Sequence, residues 1–338
     1  MVSALQRKFA GGNHLLLTIN IFCCRYIMIH GIINVYKEKG FTSFDVVAKA
    51  RGIFKQKKIG HTGTLDPDAE GVLPLCFGKA TKVCDLLTEK NKEYKAVMLL
   101  GKVTDTQDIS GTVLEEHDVL VTEMQIREAV MSFLGDILQV PPMYSALKVN
   151  GQKLCDLARE GKTVERKARP VTIHELEILD ISLPRVTMRV KCSKGTYIRT
   201  LCEDIGAKLG CGACMESLLR TKVSEFYVED ALKLSELEAL VKNYAEGVVP
   251  GQWNTTMFPF VHSVDSVFMK YPEAVVKKEH NKLLYNGNRL VSSILKEDKT
   301  EYRMQPVRIY DEERHFIGIY EYDANRNDYK PVKLFLEE

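Results

Sequence analysis

The chain has no apolar run of the roughly 20 residues needed to span a bilayer. Neither sign of charge dominates, with 47 Lys+Arg against 45 Asp+Glu and a net charge of +2. So small a sum neither requires nor excludes a polyanionic partner; only local charge decides that. Gly (22) and Pro (11) are too few for a collagen-like or linker-like chain, and hydrophobic residues, at 45%, are too many for a disordered one. There is no internal repeat and no low-complexity run. The nine cysteines are odd in number and their spacings suggest no disulfide framework, which points to free thiols in a reducing cytosol. Cys211-Gly-Ala-Cys214 has the form of a zinc or redox half-site, but no second CxxC and no His pair completes it, so a structural role is expected. What remains is a globular protein whose 338 residues suggest about two domains.

Residues 1–27 differ from the rest. Arg7 and Lys8 precede the short apolar run Leu15–Phe22, which Asn20 interrupts, and no small-x-small cleavage site follows. The segment reads as an N-terminal extension or a misassigned start, with Met28 as the true or alternative first residue. From there Ile29–Val35 reads as a strand. Thr42-Ser43 caps a helix with an apolar stripe at 44, 47, 50 and 54. Residues 60–78, rich in Gly, Pro and Asp, read as a loop. Tyr94–Leu100 is a strand, Met124–Leu134 a helix, and Val171–Ile181 with Val186–Cys192 a strand pair around Pro184. Thr196–Leu209 is a helix stopped by Gly210, and another starts at a Ser235 cap. After Pro250-Gly251 short strands follow at 289–292, 304–310, 316–322 and 332–336. The pattern is α+β with a β-rich tail, divided as 28–250 and 251–338.

Charge is unevenly spread. Residues 49–58 carry five cations and no acid; residues 148–169 carry seven cations against three acids; residues 103–141 carry eight acids and only Arg127. A single charge run is as often a solvated face as a binding surface, but two basic runs, one adjoining a polar Gly-rich loop, favour a phosphate-backbone partner. That loop, Gly60-His61-Thr62-Gly63-Thr64-Leu65-Asp66-Pro67-Asp68-Ala69-Glu70-Gly71, is the densest stretch of the chain. Pro67 fixes its own φ and biases Asp66 away from the helical region, so Asp66 is presented on a stiff loop. An ordinary Asx turn would look similar. Asp66, Asp68 and Glu70 as a metal loop would lack the ligand period of an EF-hand.

Gly60–Pro67 resembles the catalytic motif of the TruB family of tRNA pseudouridine synthases. Lys92-Glu93-Tyr94-Lys95-Ala96 is similar to the family's Tyr-bearing strand. Thr104–Gly111 resembles its T-D-T-x-D-x-x-G loop, Pro142–Lys148 its P-x-Y-S-A-x-K segment, and Lys194–Arg199 its K-G-T-Y-I-R strand end. Leu218–Thr221 is similar to its L-R-R-T element, with Leu219 in place of one Arg. Glu38 follows Lys37 where the family usually has Pro, and Cys214 stands where it often has His. These motifs run in order over residues 29–225; the last 80 or so match a PUA-type RNA-binding domain more weakly.

The resemblance implies a pseudouridine synthase fold: a largely antiparallel mixed sheet flanked by helices, followed by a small β-barrel. It implies an isomerase that converts uridine 55 in the T loop of tRNA to pseudouridine, with no cofactor and no metal. Asp66 would be the reactive carboxylate and Arg199 the guanidinium that favours its ionised form. Tyr94 would face the target base as a candidate general base, although a plain sheet aromatic is the simpler reading of the residue itself. His61 would help eject the base or fill the vacated stack, Asp108 would meet the flipped nucleotides, Tyr197 would pack at the base or only support Arg199, and Leu218 would form an apolar wall. Lys37 would contact phosphate or support the pocket, and Lys148 would lie on the RNA-binding surface. The expected partner is the T arm of tRNA, with no membrane, a cytoplasmic location and a monomeric chain. Three rivals stand beside this reading: a non-catalytic RNA-binding or tRNA-folding protein on the same scaffold, a pseudouridine synthase for another RNA position, and an unrelated Asp-dependent hydrolase or metalloenzyme.

Overall fold

The computed structural model of the protein describes residues 28–248 and 255–336. The proposed extension at 1–27, Cys23-Cys24 and the expected boundary at 250/251 lie outside the described residues. A nine-stranded sheet is built from β1 (Gly31–Lys37), β2 (Ile59–His61), β3 (Glu70–Phe77), β4 (Lys92–Leu100), β5 (Gly135–Gln139), β6 (Arg169–Ser182), β7 (Arg185–Cys192), β8 (Ala213–Val223) and β9 (Phe226–Tyr227). Its order is β1-β3-β8-β4-β7-β6-β5, with β2 beside β3 and β9 beside β8. Every pairing is antiparallel except β3 with β8, so the sheet is mixed and largely antiparallel, as expected.

Residues 60–78 are less of a loop than their composition suggests. Val72–Phe77 is buried throughout, because helices cover one face of β3 and a second apolar cluster covers the other. Leu73, Leu75 and Phe77 enter one cluster, Val72 and Cys76 the other, with the period of two that a strand imposes. Pro74 fits because its carbonyl accepts from Thr62 N–H (3.2 Å), beyond the stretch where β8 pairs with β3. Its missing N–H falls on that same side, past the end of β2, so the ladder with β1 on the other side is untouched. Only residues 62–69 are irregular.

Among the described residues, the four helices of nine residues or more flank the sheet: α1 (Ser43–Phe54), α2 (Glu123–Met131), α3 (Ile198–Leu209) and α4 (Leu234–Tyr244). Thr42 caps α1, accepting from Asp45 N–H, while the Asp45 carboxylate accepts from Thr42 N–H (2.9 Å). The buried stripe of α1 is Val46, Val47, Ala50 and Phe54; Phe44, expected on it, is 65% exposed. The helix is rotated so that Ser43, not Phe44, faces the core. α4 begins two residues earlier than expected: Lys233, not Ser235, is its cap, its N–H bonded to Glu236 (2.8 Å). Helices α1 and α4 pack over β1 and β3; α2 and α3 pack over β4, β7 and β8. Gly210 ends α3 in the left-handed conformation, as its position predicts.

The tail forms a five-stranded sheet of β10 (Glu273–Val275), β11 (Leu290–Val291), β12 (Val307–Tyr310), β13 (Phe316–Asp323) and β14 (Asp328–Leu334), ordered β10-β12-β13-β14-β11. Lys296 N–H bonds to Val275 O (2.8 Å) and Lys277 N–H to Ile294 O (2.9 Å), which joins the segment after β11 to the one after β10 and curls the sheet. Ile319 and Phe335 share an apolar cluster with Ile32, Val72 and Cys76 of the large sheet. Among the described residues no helix is long and apolar enough to cross a membrane.

Two glycines should respond oppositely to Ala. At Gly71 φ is +105°, and a Cβ would lie 2.3 Å from Arg220 O. Gly71→Ala is expected to destabilise by about 3 kcal/mol or more, from backbone strain and overpacking together. Gly52, in α1, has nothing within 4 Å of an added Cβ, so Gly52→Ala should stabilise by about 0.5–1 kcal/mol. Chemical denaturation of both variants checks the pair.

Candidate active site

The loop between β2 and β3 is pinned on both sides of Asp66. Ahead of it, Leu65 N–H bonds to the Ser43 hydroxyl at the start of α1 (2.9 Å). Behind it, Pro67 O accepts from Gly40 N–H (3.0 Å) and from Lys37 Nζ (2.9 Å), and Ala69 O accepts from Lys37 Nζ (2.5 Å). Lys37 is fully buried and also reaches Glu38 O (3.3 Å). Its amino group is thus spent on main-chain carbonyls. Burial lowers its pKa to about 8, against the attraction of Asp66, Glu70 and Asp68.

Arg199 comes to this loop from the other side. The resemblance places it at a strand end; it stands instead in the first turn of α3, seven residues past β7. Its Nε lies 2.9 Å from Asp66 Oδ2 and its Nη2 3.3 Å from Oδ1, a two-pronged ion pair. Its remaining donors reach Thr106 O and Tyr144 O, both at 2.9 Å, and Asp108 Oδ2 lies 3.7 Å from Nη1. The Arg199 side chain is 5% exposed and that of Asp66 41%. The guanidinium is therefore locked while the carboxylate stays open.

Asp108 is held within its own loop, accepting from Thr106 Oγ1 (2.8 Å) and from Ser110 N–H (3.0 Å) and Oγ (2.6 Å). Tyr197 caps α3, and its backbone is gripped in both directions by the buried Gln139 amide: Tyr197 N–H to Oε1 (2.8 Å), and Nε2 to Tyr197 O (3.0 Å). Burial raises the Tyr197 pKa.

Tyr94, Leu218 and Leu65 lie in one buried apolar cluster. Tyr94 stands directly opposite Arg220 in the β4–β8 ladder. Arg220 is 1% exposed, donates Nε to Val72 O (2.7 Å) and Nη2 to Gly63 O (3.2 Å), and also contacts the Tyr94 phenol. It thus holds both ends of the Asp66 loop. Burial pushes the Tyr94 pKa up to about 12, against the pull of Arg220, so the resting side chain is a phenol. His61 lies on β2, its Nδ1 accepting from Gly63 N–H (3.3 Å). Burial, and then the Arg220 charge, lower its pKa, which leaves a neutral ring at pH 7.

The structure thus brings together Asp66, Arg199, Asp108 and Lys37 around one loop, and Tyr94 and His61 around Arg220. Lys148 is exposed on a two-residue hairpin strand with Val149. Sequence reasoning missed Ser43, Gln139, Gln107 and the clamping role of Arg220. Each meets its partner across 22 to 157 residues of chain, and no local pattern signals such a pairing.

The thiols of the CxxC pair are buried, and burial raises both pKa values, that of Cys214 to about 11; a buried, protonated thiol suits a packing role. Among the described residues, Asp311, Glu313 and His315 lie close enough to share a cation. The Asp311 carboxylate there is already engaged by the Tyr285 hydroxyl (2.6 Å) and His315 N–H (2.8 Å).

The chain is similar to known proteins in both sequence and fold. Residues 51–198 match the model of the TruB family pseudouridylate synthase N-terminal domain, and residues 199–268 that of the tRNA pseudouridylate synthase B C-terminal domain. The tRNA pseudouridine synthase B of Lachnoclostridium phytofermentans is 55% identical over 318 residues, covering 91% of this chain and 100% of that protein. That of Clostridium acetobutylicum is 45% identical over 309 residues, covering 90% and 99%. Among solved structures, a chain of a Cbf5-Nop10-Gar1 complex matches with a TM-score of 0.66 at 26% identity, covering 93% of this chain and 86% of that one. Fold and motifs together define an isomerase of the pseudouridylate synthase class. Within that class, the chain belongs to the TruB family.

The lowered pKa of His61 gives a signed expectation. Below about pH 6.5 the unfolded state binds a proton on His61 that the folded state resists. The stability associated with the neutral ring is complete above that pH and is lost as pH falls towards the folded-state pKa. The His61 ring protons should titrate in NMR with a midpoint below 6.5, and His61→Gln should flatten the stability–pH curve in that window.

Proposed function

We propose that the chain isomerises uridine 55 in the T loop of tRNAs to pseudouridine. The observation that carries this reading is the Asp66–Arg199 pair, in which a buried, fully engaged guanidinium holds a carboxylate that remains open on one side. The two relatives named above, matched over essentially their whole length, are tRNA pseudouridine synthases by name.

In the reaction the N1–C1′ bond breaks, uracil turns, and a C5–C1′ bond forms; the C5 proton leaves and N1 gains one. Atoms and electrons balance without an oxidant, reductant or second substrate, so no cofactor or metal is required. Asp66 supplies the anionic oxygen at C1′. Arg199 orients that carboxylate through its two-pronged ion pair. Tyr94 takes the face of the base, and removal of the C5 proton by it needs the phenolate, which the neighbouring Arg220 charge favours. His61, as a neutral ring, stacks where the base leaves; Leu218 walls the pocket; Asp108 and Tyr197 meet the flipped nucleotide. The few kcal/mol that flipping costs are offset by such contacts.

The exposed Lys148 and the basic segments around it bind the phosphates of the T arm. Residues 28–250 form the catalytic domain and 251–338 a PUA-like RNA-binding domain. The enzyme acts as a monomer in the cytoplasm.

Asp66→Asn is expected to abolish pseudouridine formation, followed as tritium release from tRNA labelled at uridine C5, while tRNA binding survives. Retained turnover would sink the reading, and the metalloenzyme rival would require inhibition by EDTA, where none is expected. Mapping pseudouridine in tRNA from a deletion strain separates position 55 from other positions. Binding to tRNA should also weaken steeply with salt, by about 0.7–0.9 in the log–log slope for each phosphate contact; affinity unchanged between low and high salt would contradict the assigned basic surface.

A further inference from the structure

The loop at 104–111 presents two groups to Arg199: the Thr106 carbonyl and the Asp108 carboxylate. Between them stands Gln107, at the position the T-D-T-x-D-x-x-G pattern leaves open. Its φ is +65°, a left-handed conformation that glycine or asparagine adopts more readily than glutamine. The backbone there is committed: Gln107 N–H bonds to Thr104 O (3.2 Å) and Gln107 O accepts from Met215 N–H (3.0 Å). This turn sends Thr106 O and Asp108 to the same side.

The glutamine side chain accounts for its presence at so unfavourable a φ. Its Oε1 accepts from Thr200 Oγ1 (2.7 Å), and its Nε2 donates to Glu203 Oε2. Thr200 and Glu203 follow Arg199 by one and four residues in α3, and Thr200 is 2% exposed. One amide therefore ties the loop to the helix turn that carries the arginine.

We propose that Gln107 is a positioning residue for the isomerisation: by bracing the 104–111 loop against Thr200 and Glu203 it fixes the direction in which Arg199 presents itself to Asp66. The inference rests on the reading of Asp66 and Arg199 as the reacting pair. Without the brace, loop and helix remain, but Thr106 O and Asp108 no longer hold the guanidinium in one orientation. The loss then falls on the chemical step rather than on RNA binding.

The variants are Gln107→Gly, which keeps the positive φ and removes the side chain, Glu203→Ala, and Glu203→Gln, whose amide oxygen accepts the same hydrogen bond. Tritium release from tRNA labelled at uridine C5 gives kcat and KM, and thermal unfolding is followed on the same samples. Expected is a fall of about tenfold in kcat for Gln107→Gly and Glu203→Ala, with KM within about twofold. Glu203→Gln should keep more than about half of the wild-type kcat, and the Gln107→Gly/Glu203→Ala double variant should be no slower than either single one, as partners in one interaction require. Wild-type kcat in Gln107→Gly, additive losses in the double variant, or a loss that merely follows a lowered melting temperature would each overturn the inference. Asp66→Asn run alongside separates the two levels. If it is inactive while Gln107→Gly runs at full speed, only the brace is wrong; if it turns over, the reading beneath it fails as well.

Discussion

A guanidinium buried to 5% exposure must have its charge and its donors satisfied, and in this protein Arg199 is satisfied by three separate loops. Asp66 comes from the loop between β2 and β3, Thr106 O and Asp108 from the hairpin after β4, and Tyr144 O from the segment after β5. None of these segments is adjacent in sequence. Because α3 carries the arginine in its first turn and packs on β4, β7 and β8 by Ile198, Leu201 and Ile205, the position of that helix sets where all three loops converge. Displacement of one loop leaves a buried donor without its acceptor, so the site assembles as a unit.

A second buried cation works beneath the first. Among the described residues, the partners of Arg220 are main-chain carbonyls and the Tyr94 phenol. It is seated where β8 changes neighbours, opposite Gly71 in the parallel pair with β3 and opposite Tyr94 in the antiparallel pair with β4. The close strand approach at Gly71 leaves no room for a side chain, which is why a glycine with φ of +105° stands there. The same crossing places the arginine under both ends of the Asp66 loop. Lys37 and Lys92, both with pKa lowered to about 8 by burial, feel its charge as well. The floor of the site is therefore cationic, while the Asp66 carboxylate above it is 41% exposed.

Much of this was legible in the sequence, for identifiable reasons. The paired strands around Pro184, the α3 helix with its Gly210 stop and the Thr42 cap follow from local pattern and turn chemistry, which act over a few residues. The Asp66 loop stood out by composition. Residues 70–77 misled, because a strand buried on both faces shows no alternation and its Gly and Pro read as a loop. Phe44 misled because a helix stripe fixes the period but not the rotation, and here the Ser43 hydroxyl is needed inside to hold Leu65. Gln139 and Gln107 were silent because their work is done across 58 and 93 residues of chain.

The exposure difference within the central pair connects this architecture to its chemistry. An ion pair buried on both sides would spend the carboxylate wholly on the guanidinium, and a pair exposed on both sides would be mobile and screened. Here the arginine is immobilised by the Thr106 and Tyr144 carbonyls, and the aspartate is pinned by its backbone through Ser43, Lys37 and Gly40. Neither partner depends on the ion pair alone for its place. The carboxylate can therefore turn part of its charge towards an incoming group without collapse of the site. In the proposed reaction, a base held in a folded RNA loop would have to be brought to this carboxylate, because a carboxylate fixed in this way cannot move to meet it.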